Sequence, residues 1–465
     1  MKGKIIFLSL LSVTTLLFTP ALTFAKHGAS DQVDVHLTLS KAKHEATIPP
    51  LAFGMNTAVW DGNITTPGVS SRLKQLYISL LRWPGGSYAD TFNWSNYIFS
   101  FRQFMQLSSN VKAMPLLTVN YGTGTPSEAA SWVRYVKKHH EQALWEIGNE
   151  VYGNGTYQNV SWETDMHQPN GPTAYAKNAL TYIQAMRKID PNAQIGIVGT
   201  IPGVWPSGIA PYWDRTVLPI VAKKINFIVI HWYPQNPGQE SDQQLLASTD
   251  QIAGYIKSLQ GYLHQYAGKR ASDIKIFLDE TNSVSSNPGK QMMSIVNALF
   301  AAKDVNTWLS NGISNVSWWD LHNGPTTGNL SSSLYGNASY GDYGILSNGS
   351  TGEPPLNTPT ASYWGLYMVA QFVQPGSTYL SVTTSNPILT AFAARSEKNK
   401  SSLMLINSSN AQSARVSIPT TMFTNTHPLI IDTYGKLTSM PKKTFIPSTE
   451  QAITVPPYSM IVVSQ

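Results

Sequence analysis

With 465 residues the chain is long enough for one large α/β domain and a smaller companion. Only 12% of its residues are charged, against roughly 25% in an average soluble domain, the formal net charge is +6, and cysteine is absent. The lack of cysteine excludes a disulfide framework and a thiolate metal site, and the scattered positive charge, with no clustered basic stripe, excludes a nucleic-acid surface. Scarce carboxylates fit an adaptation to acid, where few native pairings are lost by protonation, and equally fit compositional drift.

Residues 1–25 read as a secretory signal. Lys2 and Lys4 precede the apolar run Ile5 to Phe18, and Thr23-Phe24-Ala25 offers the small residues a signal peptidase reads. Its removal lowers the formal net charge from +6 to +4. No later segment approaches about 20 uninterrupted apolar residues, so an exported, extracellular protein without a membrane partner is expected. In residues 26–48, Val33 to Leu39 alternates as a strand does and is expected to join a sandwich formed farther along the chain.

Residues 49–373 alternate short apolar runs with longer amphipathic ones, the pattern of parallel strands joined by crossover helices. Eight strands are predicted: Leu51 to Asn56, Ser79 to Trp83, Ala113 to Asn120, Ala143 to Gly148, Gln194 to Gly199, Phe227 to His231, Lys275 to Asp279 and Asn315 to Trp319. Helical patterns over Ser127 to His140, Ala174 to Ile189, Gln244 to Tyr266 and Gln291 to Leu309 separate them. Together they predict an α/β fold, a (β/α)8 TIM barrel, with its active site at the carboxyl ends of the strands.

Residues 374–465 change character. Leu403 to Ile406, Ala414 to Ile418, Leu429 to Thr433 and Ser459 to Val463 alternate between turn residues and predict a C-terminal antiparallel β-sandwich. Bracing of the barrel and carbohydrate binding are both open roles for it.

The strand ends carry the chemistry. Trp145-Glu146-Ile147-Gly148-Asn149-Glu150 delivers a carboxylate beside an amide after the fourth barrel strand, and Ile274 to Glu280 delivers a second after the seventh. Two carboxylates facing each other across a barrel mouth suit cleavage of a glycosidic bond, with Asn149 bonding a sugar hydroxyl. Other strand ends add Arg82, Asn120, His231, Tyr233 and Trp319. Arg82 is a candidate partner of the Glu280 carboxylate, and His231 or Tyr233 a candidate to orient it. Trp60, Trp94, Trp162, Trp205, Trp232 and Trp319 lie at or beyond strand ends, where exposed indole rings would line a glycan cleft. His139-His140 lacks a metal-ligand spacing, so neither a metal nor another cofactor is expected.

Several segments, in order and spacing, resemble the clan A glycoside hydrolases, most closely the family 51 α-L-arabinofuranosidases. They are Leu81-Arg82-Trp83-Pro84-Gly85-Gly86 with Phe92-Asn93-Trp94, Val119 to Pro126 running into Glu128-Ala129-Ala130, Trp145 to Glu150, and the closing Pro456-Pro457-Tyr458-Ser459. The resemblance implies Glu150 as acid/base, Glu280 as nucleophile and Asn149 as the amide beside the acid/base. Two departures bear on the sugar site. The family's substrate-binding Glu after the first strand is missing from Phe53 to Trp60, and Asp279-Glu280-Thr281-Asn282 replaces the usual Asp-Glu-Trp-Asn.

The expected function is a secreted, retaining glycoside hydrolase acting on plant cell-wall polysaccharide or its oligosaccharides, arabinofuranosidase-like. An endo-β-1,4-glucanase or xylanase with an open cleft is the alternative, and a non-catalytic carbohydrate-binding protein the second. The oligomeric state is left open.

Overall fold

A computed structural model describes residues 32–40, 46–155, 161–204, 210–418, 429–431, 437–439 and 451–465; the predicted signal and Trp205 lie outside them. Strand β1 (Gln32–Ser40) precedes a closed barrel of eight parallel strands. These are β2 (Phe53–Asn56), β3 (Leu80–Trp83), β4 (Met114–Val119), β5 (Leu144–Ile147), β6 (Gln194–Val198), β7 (Phe227–Trp232), β8 (Lys275–Thr281) and β9 (Asn315–Trp318), and β9 returns to pair with β2. Each coincides with a predicted strand to within a few residues.

Side chains alternate along the strands, and the two faces have different partners. Leu81, Leu117, Trp145, Ile195, Ile197, Ile228, Ile230, Ile276 and Leu278 belong to the main apolar core shared with the surrounding helices. Leu80, Leu116, Leu144, Phe227, Val229 and Phe277 form a separate buried cluster, which fills the lower interior of the barrel. The Phe227 and Phe277 rings stack there at 4.7 Å.

The crossover helices follow their capping chemistry. Thr125 accepts a hydrogen bond from the Glu128 amide, Pro126 occupies the first turn, and the helix Pro126–Lys138 buries Ala129, Trp132, Val133 and Val136. The predicted helix Gln244 to Tyr266 is interrupted. It divides into Asp242–Ser248, a 3-10 turn Thr249–Gln251 and Ile252–Ala267, because Ser248-Thr249-Asp250 is a run of weak helix formers and the Ser248 hydroxyl donates to the Leu245 carbonyl.

The second sheet comprises β1 with β10 (Thr378–Thr384), β11 (Leu389–Arg395), β12 (Ser401–Asn407), β13 (Ser413–Ile418), β14 (Leu429–Ile431), β15 (Leu437–Ser439), β16 (Gln451–Val455) and β17 (Ser459–Ser464). Its order is β15-β14-β17-β12-β11-β10-β1-β13-β16. β1 pairs in parallel with β13 through its first half and antiparallel with β10 through its second, and so joins the two layers. Val35, Leu389, Leu403, Leu405, Val416, Ile453, Ile461 and Val463 form the core between them. The alternate residues Met404, Ile406, Met460 and Val462 join the barrel core instead, so this face of the sandwich seals against the helices.

Candidate active site

The upper interior of the barrel is charged where the lower is apolar. Arg82, two residues beyond Leu80 on β3 and pointing the same way, is fully buried. Its Nε lies 2.8 Å from Glu146 Oε2 and 2.9 Å from Asp279 Oδ2, and its Nη1 donates to Glu280 Oε1 at 2.6 Å. Nη2 donates to Asn149 Oδ1 at 2.7 Å, and Nη1 reaches Asn56 Oδ1 at 3.2 Å. Thr118 adds a hydroxyl to Glu146 at 2.7 Å. One guanidinium therefore faces three carboxylates. Burial alone would lower its pKa, but Asp279, Glu146 and Glu280 outweigh that and hold it well above the ordinary value. Glu146 is pushed up to about 7, by burial first and against the pull of Arg82.

Consecutive strand residues ordinarily face opposite ways, yet Asp279 and Glu280 both reach this center. The register explains it. Ile230 pairs with Leu278 and His231 with Glu280, so a bulge at Asp279 turns two successive carboxylates inward. Glu280 Oε2 accepts a hydrogen bond from the Tyr233 hydroxyl at 2.9 Å while Oε1 meets Arg82.

Glu150 arrives differently. Gly148 and Glu150 both have left-handed backbone, φ 75° and 37°, and a Cβ at Gly148 would sit 2.6 Å from Val151 Cγ2. Only glycine allows this turn. It leaves the Glu150 carboxylate ringed by three donors: His231 Nδ1 at 2.8 Å and the Tyr152 hydroxyl at 3.0 Å on Oε1, and Trp162 Nε1 at 2.6 Å on Oε2.

His231 connects the two acids. Its Nε2 faces Asp279 Oδ1 at 3.0 Å, and its Nδ1, bonded to Glu150, is 3.5 Å from Glu280 Oε2. One oxygen of Glu150, one of Glu280 and a ring nitrogen of His231 all lie within 4.8 Å of one another. Burial pushes Glu280 up, with His231 and Arg82 pulling back without cancelling it. Burial also pushes Glu150 up, but the bonds from His231, Trp162 and Tyr152 and the His231 charge hold it below the usual range. Burial disfavors the His231 cation, but Glu280 and Asp279 outweigh it and raise its pKa well above the ordinary value. These directions favor a proton on His231 over one on Glu150, its hydrogen-bond partner. Glu146, His231 and Asp279 also offer ligand atoms within 4.8 Å of one another, but Arg82 already supplies the cation to these acids.

Above the carboxylates opens a cleft of about 540 Å³, lined by Asn149, Glu150, Tyr152, Trp162, His231, Tyr233, Glu280, Trp60, Ser87, Tyr88 and Trp319 among others. Asn149 is held by Arg82 on its oxygen and donates to Glu163 Oε1 at 2.9 Å, which also accepts from Ser87 at 2.7 Å. Burial pushes Glu163 up to about 9, with Asp90 and Glu150 adding to it.

Of the expected residues, Glu150, Glu280, Asn149, Arg82, His231, Tyr233, Trp60 and Trp319 converge here. Two do not. Trp94 stacks on Trp132 at 5.9 Å in the core outside the barrel wall, and Asn120 shapes its own loop, accepting from the Thr123 and Gly124 amides. Trp232 borders the cleft but is buried, its ring packed on Phe300 and Trp308, because it alternates outward between His231 and Tyr233. Sequence reasoning missed Glu146, Asp279, Tyr152 and Glu163. A charge inside the apolar runs of β5 and β8 was the available signal for the first two; the others follow the strand and carried none.

No family model matches the chain. A curated intracellular exo-α-(1→5)-L-arabinofuranosidase of Acetivibrio thermocellus is 23% identical over 251 residues, 45% of this chain and 47% of that protein. An intracellular exo-α-L-arabinofuranosidase of Bacteroides ovatus is 21% identical over 277 residues, 47% of this chain and 50% of that one. The chain thus spans about half the length of these relatives. The crystal structure of the family 51 arabinofuranosidase from Xanthomonas axonopodis pv. citri superposes with a TM-score of 0.70 at 15% identity, over 93% of this chain and 99% of that one. In sequence and in fold, the chain is similar to the family 51 arabinofuranosidases. CelM2, a bifunctional glucanase-xylanase from a metagenome library, follows at a TM-score of 0.64 and 13% identity, over 93% and 99% of the two chains. The family 51-like barrel and sandwich are therefore shared with enzymes whose names cover more than one glycan.

Proposed function

We propose that the chain is a retaining glycoside hydrolase acting on plant cell-wall polysaccharide or its oligosaccharides, arabinofuranosidase-like. The observation that carries this reading is the pair Glu150 and Glu280, each held by its own donors, with facing oxygens and His231 within 4.8 Å. That closeness supports double displacement, which uses carboxyl groups roughly 5 to 5.5 Å apart, over inversion, which needs room for a water.

Glu280 attacks the anomeric carbon while Glu150 protonates the departing oxygen. Arg82 and Tyr233 fix the Glu280 carboxylate and disperse its charge. The acid proton travels along the bond between His231 Nδ1 and Glu150 Oε1, as His231 keeps its other nitrogen toward Asp279. Glu150, then deprotonated, takes a proton from the water that releases the sugar. The pair titrates as a unit, and its apparent pKa values belong to both acids and His231 together.

Glu150→Ala tests the assignment. Turnover of aryl glycosides with good leaving groups should largely survive, poor leaving groups should be lost, and azide should restore part of the rate. Equal loss on every substrate would sink it.

A specific feature favors internal cleavage as the second reading: the segment Phe53 to Trp60 lacks an acid, and Trp60 is half exposed at the cleft. Viscosity of xylan or carboxymethyl cellulose falling before reducing ends accumulate supports it, and monosaccharide release from the outset returns the arabinofuranosidase reading. Export rests on Lys2, Lys4 and the run Ile5 to Phe18. N-terminal sequencing of protein from the medium of a secreting host tests it, with retention in the cell as the contrary result.

A further inference from the structure

We infer that Trp60, Tyr88, Tyr97 and Phe99 form an aromatic platform that leads out of the cleft and holds further sugar units of a neutral glycan chain; this rests on the hydrolase reading and names its substrate as a chain. Trp60 and Tyr88 line the cleft, and all four are exposed, by 51%, 37%, 38% and 76% in that order.

The first three rings are contiguous and held in place. The Trp60 and Tyr88 rings meet edge to face at 6.0 Å, and Tyr88 and Tyr97 at 6.4 Å, with their hydroxyls 2.8 Å apart. Buried Phe92 supports both tyrosines from below, at 5.8 and 4.9 Å. Phe99 stands two residues beyond Tyr97, at the start of the helix Ile98–Val111, whose buried face is Phe101, Phe104, Met105, Leu107, Ser108 and Val111. That face does not include Phe99, so folding gives no reason for an aromatic ring there. Exposed, clustered rings mark a binding surface.

The chemistry around the rings selects the ligand. From Gly85 to Phe101 the only charged side chain is Asp90, which is buried, and Arg102, one turn beyond Phe99, is neutralized by Glu141 at 2.7 Å; the remainder is aromatic, hydroxyl, amide or small, with Ile98 the one larger aliphatic. Flat apolar faces with polar tips and no net charge suit the faces and hydroxyls of neutral sugars, whereas an acidic or basic partner would find no counter-charge. Rings set by a buried phenylalanine lose little freedom on binding.

Tyr97→Ala, Phe99→Ala and the conservative Tyr97→Phe test the platform with two readouts. One is steady-state kinetics on an aryl monoglycoside and on a polymer chosen from arabinoxylan, xylan and carboxymethyl cellulose; the other is retardation of the protein in native gels cast with those polymers. The alanine variants should raise KM for the polymer about tenfold and migrate with little retardation, with kcat/KM for the aryl glycoside unchanged. Tyr97→Phe, which keeps the ring, should behave as the parent. Unchanged polymer KM and retardation would overturn the platform and direct the patch to a protein partner; parallel losses on both substrates would also overturn it, by making the residues structural. Absence of turnover on any glycoside overturns the hydrolase reading, and retardation alone then decides the platform.

Discussion

In the lower half of the barrel Leu80, Leu116, Leu144, Phe227, Val229 and Phe277 close the interior with apolar side chains. Two residues farther along the same strands, Arg82, Thr118, Glu146, His231 and Asp279 fill it with charge. The lower half stabilizes the fold by removing apolar area from water, about 25 cal/mol per Å². The upper half does not, because burying ions costs as much as their attraction returns, or more. What the charged half supplies is position: every oxygen of Glu150 and Glu280 is held by a named donor. One set of strands thus carries a layer that holds the fold and a layer that positions Glu150 and Glu280.

Substitutions can separate the layers. The largest effect belongs to Glu280→Ala, which should lower turnover roughly 10⁵-fold as loss of the proposed nucleophile, while urea unfolding finds stability equal or greater, because Arg82 keeps Glu146 and Asp279 and one buried acid is gone. A stability loss matching the activity loss would merge the two layers. Next, Arg82→Met leaves Glu146, Asp279 and Glu280 without their cation and should destabilize the protein by about 3 to 5 kcal/mol, read as a lower urea midpoint. In the other layer Leu116→Ala should cost about 2 to 5 kcal/mol with turnover of the folded protein unchanged. Lost turnover in that variant would show that the layers are mechanically coupled.

The smallest effect is graded with pH. Burial pushes Glu146 and Asp214 up to about 7, Asp90, Asp304 and Asp342 to about 8, and Glu163 to about 9. A raised carboxyl keeps its proton in the folded state where the unfolded chain releases it. Its contribution is fully present below the ordinary carboxylate range, near pH 4, and lost as pH rises through the folded value. Glu150, held low, has the opposite sign, and its contribution is lost in acid. The raised carboxyls, Glu280 and Asp320 among them, outnumber the lowered one, so thermal melts should give the highest Tm near pH 4 to 5 and a decline toward pH 9. A Tm that rises over that range would contradict the protonated state of these acids. A Tm highest in acid would favor acid adaptation over compositional drift, with burial holding several carboxyls above their ordinary range as a cause besides their scarcity.

Much of this was legible from the residues. Short apolar runs separated by amphipathic stretches predict the eight barrel strands, because burial on both faces and crossover connections leave that pattern. Glu150 and Glu280 were legible because each terminates an apolar run, and Arg82 because a lone cation at a buried strand end must find acids. The break at Ser248-Thr249-Asp250 was less so, since apolar spacing continues across it.

The sequence by itself determined the barrel, the sandwich and the two carboxylates, since these follow from local periodicity and turn chemistry. Only the tertiary structure decided which neighbors they keep. Arg82 and Glu280 are 198 positions apart, and His231 and Glu150 are 81 apart, distances over which spacing carries no information. The bulge that turns both Asp279 and Glu280 inward exists only in pairing with β7. Trp94 and Trp60 look alike along the chain; packing against Trp132 makes one core, and solvent at the cleft mouth leaves the other free for a ligand. Proton position was decided in the same way, because a carboxyl takes its pKa from the donors and charges that folding gathers around it.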